Sequence, residues 1–321
     1  MEIENKIIVN FTTYPKRDMY MPKMLENFKN QTIKPNKIIL WLSEDEYEKD
    51  NLPKHIEKCL TDRLLTDIMW VKKNIFCHKR HECFKYFNSC FNVFIDDDTL
   101  YPSNFLKELI TEAKEHPNAI SCYWSRGIDY EGINIIQSHC FIGESQKNSF
   151  LGHGCCFPPN IFPIESFDYE ELRDKYVTKC DEGWLKAFFI KKNININAMN
   201  DLRKIKTIDE SQDSALYNEN KQTYEDGMRE KERNFFNALK IINAEEEAKK
   251  IFPKISIDKW ELRTAEELKK QATKKRDKQK IGIKKTSKKV NKTTTKSTKK
   301  QFTRKIHSGK RKQITFMNMS W

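Results

Sequence analysis

Four short apolar runs recur in the first hundred residues: Lys6–Phe11 (KIIVNF), Lys37–Leu42 (KIILWL), Asp67–Val71 (DIMWV) and Asn92–Ile95 (NVFI). The first two read as buried strands and the other two as a third and a fourth strand. The segments between them have helical spacing. Met21, Met24, Leu25 and Phe28 share one face, Pro53–Leu60 reads as a helix, and Lys79–Phe91 reads as a helix with Phe84, Phe87 and Phe91 on one side. An amphipathic helix starts near Pro102 and ends near His116, and Ala119–Tyr123 reads as a fifth strand. Strands alternating with helices predict an α/β layer on a mainly parallel sheet. Ligands of such sheets bind outside the carboxyl ends of the strands. Thr12–Arg17 and Asp96–Asp98 both follow strand ends, which places two distant polar clusters on one rim.

The remaining chain is less regular. Residues 124–180 carry Gly and Pro clusters around Gly152–Pro159 and read as irregular, Asp181–Lys191 reads as a helix, and 231–251 has helical periodicity before Pro253. The formal net charge of +13 hides two populations. Residues 261–321 hold 21 basic and four acidic residues, whereas residues 1–260 hold 38 and 42. A mildly acidic globular body is therefore expected over 1–260, with a Lys-rich tail over 261–321. From about Lys269 the tail is low-complexity Lys, Thr and Ser, which cannot bury enough apolar surface to offset its ordering entropy and is expected to be disordered. Its charge would attract an anionic membrane or nucleic acid. No stretch reaches the roughly 18 apolar residues of a membrane span. The nine cysteines lie between Cys59 and Cys180, odd in number and without a secretion signal, which points to reduced thiols and a cytoplasmic chain, peripheral to a membrane at most. Cys77, His78, His81 and Cys83 do not fit one tetrahedral zinc site and read as core residues.

Asp96-Asp97-Asp98 is the sharpest chemical feature. Three carboxylates at a strand end repel one another and are costly to desolvate. A divalent cation removes that cost, and all-oxygen ligands suit Mg²⁺ or Mn²⁺. In an extended backbone Asp96 and Asp98 point to one side and Asp97 to the other. The simpler alternative is a solvated turn before a helix cap.

Five segments, in order, resemble the GT-A-fold glycosyltransferases of the family 2-like type. They are Thr12-Thr13-Tyr14-Pro15-Lys16-Arg17, then Asn30–Trp41 (NQTIKPNKIILW), then Ile95–Pro102 (IDDDTLYP), which is similar to that family's Asp-x-Asp signature. Gly152–Pro159 (GHGCCFPP) resembles its acceptor-side glycine loop and Cys180–Ala187 (CDEGWLKA) its late acidic motif. The resemblance covers about residues 6–200. It implies a Rossmann-like nucleotide-diphospho-sugar transferase fold, with a nucleotide-binding half over about 1–123 and an acceptor half over about 124–260.

The resemblance also implies roles. Asp98 would hold Mn²⁺ or Mg²⁺. Asp96 would contact the ribose, or the metal through water. Thr12, Tyr14, Arg17 and Asp97 would line the nucleotide pocket, with Lys79 on the diphosphate. Gly152, His153, Gly154 and Trp184 would face the acceptor. Inverting transfer needs a carboxylate base; Glu182 fits the family register and Asp181 is the alternative. The same pair also reads as an N-cap and a dipole-stabilised first turn. The activity implied is metal-dependent transfer of a sugar from a nucleotide-diphospho-sugar, UDP favoured, to a glycan, lipid-linked or protein hydroxyl with inversion. The competing reading is a nucleic-acid or polyanion binder acting through its tail.

Overall fold

The computed structural model describes residues 6–138, 142–149, 153–199, 205–214, 229–258, 260–264 and 266–267. The chain divides into two units, Met1–Ala272 and Thr273–Trp321. The second unit, and with it most of the Lys-rich tail, lies outside the described residues.

The strands in chain order are β1 (Ile7–Thr12), β2 (Lys37–Ser43), β3 (Asp67–Val71), β4 (Phe91–Phe94), β5 (Thr99–Leu100), β6 (Ala119–Cys122), β7 (Arg126–Glu131), β8 (Asn134–Ser138), β9 (Gly143–Ser145), β10 (Asn148–Ser149), β11 (Cys155–Phe157), β12 (Asn195–Ala198) and β13 (Lys206–Thr207). The main sheet has eight strands in the order β3-β2-β1-β4-β11-β6-β12-β9. Six share one direction, while β11 and β9 run against their neighbours. The mainly parallel α/β sheet expected from the sequence is therefore present. The chain starts in mid-sheet at β1, winds outward to β3, then returns to the other side of β1 as β4. The winding reverses between β1 and β4, the place where ligands of open α/β sheets bind.

The helices are α1 (Met21–Phe28), α2 (Lys54–Thr61), α3 (Phe84–Phe87), α4 (Phe105–Glu115), α5 (Glu170–Tyr176), α6 (Asp181–Lys191), α7 (Glu230–Ile241) and α8 (Glu245–Ile251). Alternation along the strands divides the core into two layers. Val9, Phe11, Leu40, Leu42 and Val93 pack against Met24, Leu25 and Phe28 of α1, Ile56 of α2 and Leu106 and Leu109 of α4. Ile8, Ile39, Trp41, Phe94 and Ile120 pack against Trp184, Leu185, Phe188 and Phe189 of α6 and Phe235 and Phe236 of α7. Each such buried side chain contributes about 1.5–3 kcal/mol.

Three sequence expectations change. The helix expected over Lys79–Phe91 is a 3₁₀ segment, Phe76–Cys83, followed by the short α3, and Phe91 already belongs to β4. Phe76 enters with φ +54°, so the chain arrives through a left-handed bend rather than a helical first turn. The three-residue turn then sends Lys79 to Glu46, and both Arg80 and His81 to Asp181. Residues 124–180 are not irregular throughout: β7 and β8 form a hairpin around Gly132, whose φ of +63° suits a two-residue turn. The 231–251 periodicity is two helices, α7 and α8, divided at Asn243, which adopts φ +52°. Arg233 Nη1 of α7 donates to the Arg263 carbonyl at 2.6 Å.

Candidate active site

β1 and β4 pair side by side and end on one edge, and the loops after them meet there. After β1 the Tyr14 carbonyl accepts from the amides of Arg17 (2.8 Å) and Asp18 (3.0 Å). This tight turn brings Arg17 back toward the loop after β4. Its Nη2 lies 2.7 Å from both Asp97 Oδ1 and Asp98 Oδ2. Thr13 Oγ1 donates to Asp97 Oδ2 at 2.7 Å.

The aspartate triplet is not extended. Asp97 and Asp98 form a turn, so they converge on Arg17 while Asp96 departs toward Arg80, at 3.5 Å. The expected pairing of Asp96 with Asp98 on one side is not formed; β5 follows the triplet at once and pairs with β13. Burial, reinforced by Asp98 and Asp96, pushes the Asp97 carboxyl up to about 6 despite Arg17 and Thr13. Burial disfavours the Arg17 charge, yet Asp97, Asp98 and Asp96 together hold its pKa above the ordinary value.

A second carboxylate cluster stands at the start of α6. Arg80 Nε and Nη2 both donate to Asp181 Oδ2, at 3.1 and 2.8 Å, and His81 Nε2 lies 3.3 Å from the same oxygen. Arg80 lies over the Phe94 ring at 5.1 Å, and His81 stacks on it at 5.6 Å. Burial opposes the Asp181 charge, but Arg80, His81 and His78 hold its carboxyl well below the usual range. The neighbouring Glu182 behaves oppositely. Burial raises its carboxyl against the pull of Lys231 from α7, with which it forms an ion pair. Arg80 touches both clusters and so links the Asp triplet to α6.

The other sequence candidates are placed as follows. Thr12 Oγ1 donates to the Trp41 carbonyl of β2 at 2.8 Å, and Tyr14 is half-buried at the tip of the β1 turn. Lys79 is turned inward, 2 % exposed, with Nζ on Glu46 Oε2 at 2.6 Å and the Thr13 carbonyl at 3.2 Å. It serves the loop after β1, so Arg80 replaces it as the cation beside the acidic motifs. Trp184 is a correction: it is 1 % exposed and packs edge-on against Phe188, because it sits on the core face of α6. Trp124, just after β6, is the tryptophan beside His153, with ring centroids 5.9 Å apart. His153 has φ +57° and a buried Nδ1 without a hydrogen-bond partner. Gly154 has φ +105°, and a Cβ there would drive into the Phe105 ring, so local packing already accounts for this glycine. Gly152 lies outside the described residues.

Sequence reasoning missed Thr13, Arg80, His81, Ser211 and Gln212. Arg80 was within reach, as the basic neighbour of Lys79, once the turn is three residues rather than helical. Ser211 and Gln212 contact Asp98 from more than a hundred residues away and carry no local signal.

The donor set fits Mg²⁺ or Mn²⁺. All the acidic groups offer oxygen, Asp96 is 37 % exposed with one ion pair at 3.5 Å, and Asp98 Oδ1 has only a 3.5 Å contact, to Thr99. Among the described residues the three metal-capable groups that gather within 4.8 Å of one another are Glu112, Glu115 and His116, at the end of α4 that leads into β6; the carboxylates of Asp96, Asp97 and Asp98 do not all converge in that way, as Asp96 turns toward Arg80. The eight described cysteines are free thiols, and Cys77 accepts from the Asp181 amide at 3.3 Å. No described helix is long and apolar enough to cross a membrane.

No curated protein matches this chain. Among solved structures, crystal structures of S. aureus TarS residues 1–349 align at low similarity. The first has a TM-score of 0.40 and 16 % identity, over 61 % of this chain and 58 % of that one. Those in complex with UDP and with UDP-GlcNAc have TM-scores of 0.39 and identities of 15 % and 14 %, over 60 % of this chain and 57 % and 55 % of theirs. The chain thus spans less than two thirds of each of those structures. The profile described as Glycosyl transferase family 2 matches residues 12–176, just over half of the chain and including both the loop after β1 and the Asp triplet. The chain belongs to glycosyl transferase family 2.

Proposed function

We propose that the chain transfers a sugar from a nucleotide-diphospho-sugar, UDP favoured, to an acceptor hydroxyl with inversion, in a metal-dependent reaction. The observation that carries the reading is the meeting of the β1 and β4 loops, which sets Thr13 and Arg17 against Asp96–Asp98 where the sheet reverses its winding. Asp98 and Asp96 are the residues that would hold Mn²⁺ or Mg²⁺, with Thr12, Tyr14, Arg17 and Asp97 forming the nucleotide side of the crevice. A bound divalent ion would neutralise charge on the departing diphosphate.

Glu182 is the general base in this reading. Its carboxylate is 22 % exposed, and its raised pKa moves it toward neutrality, as suits a group that must take a proton. Asp181 is too firmly held in its charged form by Arg80 and His81 for that role. It orients Arg80, which in turn faces Asp96. His153, beside Trp124, belongs to the acceptor side. The polyanion-binding alternative draws only on the charge of residues 269–312, which are not described.

The test is thermal unfolding of the full chain with nucleoside diphosphates and sugar nucleotides, with and without Mn²⁺. A ligand at a hundredfold excess over its Kd stabilises the native state by about 2.7 kcal/mol. A Mn²⁺-dependent rise with a uridine nucleotide, lost in Asp98→Ala, is expected. No rise with any nucleotide would refute the donor reading.

A further inference from the structure

We infer that the segment Lys206–Gln212 is part of the cation site: Ser211 and Gln212 are positioning residues that fix the carboxylate of Asp98. This inference rests on the metal-dependent reading above. The segment lies beyond the residues matched by the family profile. It nevertheless docks on the Asp triplet at every step. β13 pairs antiparallel with β5, Lys206 opposite Leu100 and Thr207 opposite Thr99. The Ile208 amide donates to the Asp98 carbonyl at 2.7 Å. A 3₁₀ turn, Asp209–Ser214, then follows. Tyr20 closes its outer side, its hydroxyl donating to the Glu210 carbonyl at 2.7 Å.

The consequence is an unequal carboxylate. Asp98 Oδ2 accepts from Ser211 Oγ at 2.7 Å and Gln212 Nε2 at 2.9 Å, and Arg17 Nη2 forms an ion pair with it at 2.7 Å. Ser211 Oγ also lies 2.7 Å from the Ile208 carbonyl, so its single proton is shared. Two donors match the roughly two lone-pair sites of one carboxylate oxygen, with the Arg17 guanidinium charge beside them. Oδ1 has only the 3.5 Å contact with Thr99 Oγ1. Arg17 does not set this orientation by hydrogen bonding, because the hydrogen bond of its Nη2 goes to Asp97 Oδ1 and its contact with Asp98 is an ion pair. Ser211 and Gln212 select which oxygen is saturated and thereby leave Oδ1 as the one open to a cation. Hydrogen-bonded partners of metal ligands act in this way, by removing the rotational freedom that the ligand would otherwise lose on binding.

The experiment is Mn²⁺ titration of the full-length chain, with and without UDP, followed by the electron paramagnetic resonance of free Mn²⁺. The variants are Ser211→Ala/Gln212→Ala, Gln212→Ala alone, Ser211→Thr and Tyr20→Phe. The double variant is expected to bind Mn²⁺ about 10–100-fold more weakly. Ser211→Thr keeps the hydroxyl and should keep the affinity. Tyr20→Phe loosens the outer anchor without touching the Asp98 donors and should also keep it. Gln212 is exposed, so its single truncation tests the same oxygen if the double variant does not fold. Unchanged affinity in the double variant, or in Gln212→Ala where that is the one that folds, would overturn the inference and leave the metal reading standing. An equal loss in Tyr20→Phe would overturn it as well, by assigning the effect to packing. A wild-type chain that binds no Mn²⁺ under either condition would refute the metal reading itself and this inference with it.

Discussion

The two carboxylate clusters on the rim make opposite use of one arginine each. At the β4 loop a single Arg17 serves Asp97 and Asp98, with Asp96 close behind, and the Asp97 carboxyl rises to about 6. At the start of α6 a single carboxylate, Asp181, is held by Arg80 with His81 beside it, and its pKa falls well below the usual range. Both aspartates are buried, so burial does not explain the difference. The ratio of acids to cations does. One cluster carries surplus negative charge, which a divalent ion would relieve. The other is complete and rigid, and its value lies in what it holds in place.

The largest expected effect concerns the neighbour that escapes this clamp. Glu182→Gln should lower kcat by about a hundred- to ten-thousandfold while leaving donor affinity unchanged, measured by initial rates alongside nucleotide binding. Near wild-type turnover would remove Glu182 as the base and return Asp181 to consideration. Next comes the complete cluster itself. Arg80→Ala strands a buried Asp181 and should destabilise the fold by about 3–5 kcal/mol in denaturant unfolding. A loss below about 1 kcal/mol would mean that His81 suffices to hold Asp181.

The pH dependence of stability sharpens the comparison further, with an effect on the order of 2 kcal/mol. Asp97 has a folded pKa of about 6, above its ordinary value of 3.8. Its native state holds the proton more tightly, so its contribution to stability is fully present below about pH 4 and is lost as pH rises through about 6. Asp97→Asn fixes a neutral side chain. Its midpoint should exceed that of wild type most above pH 6, with the gap closing toward pH 4. Asp181 has the opposite sign: its stabilisation is present above the ordinary carboxylate pKa and is lost as pH falls. A constant gap between Asp97→Asn and wild type from pH 4 to 7 would show that Arg17 already neutralises Asp97.

Several features were legible without coordinates. The strand runs, the parallel layer and the placing of Thr12–Arg17 and Asp96–Asp98 on one edge follow from the period of apolar residues and the direction of βαβ crossovers. Those signals are local, or need only the alternation of local elements. The 3₁₀ turn at Phe76–Cys83 was not legible, because its Phe spacing also suits a helix and the bend at Phe76 decides the matter. Trp184 was misplaced because its helix is apolar on nearly every face, so periodicity could not say which side meets the rim.

The sequence by itself determined the sheet, the rim and the residue types that stand on it, since apolar period and strand-end chemistry are carried by neighbours along the chain. Only the tertiary structure decided the pairing of charges: Arg17 with Asp97 and Asp98, Arg80 with Asp181, Glu182 with Lys231, and Ser211 with Asp98. Those partners lie 49 to 113 positions apart in the numbering. The energy of each depends on distance and burial in the folded chain, and neither is encoded in local spacing.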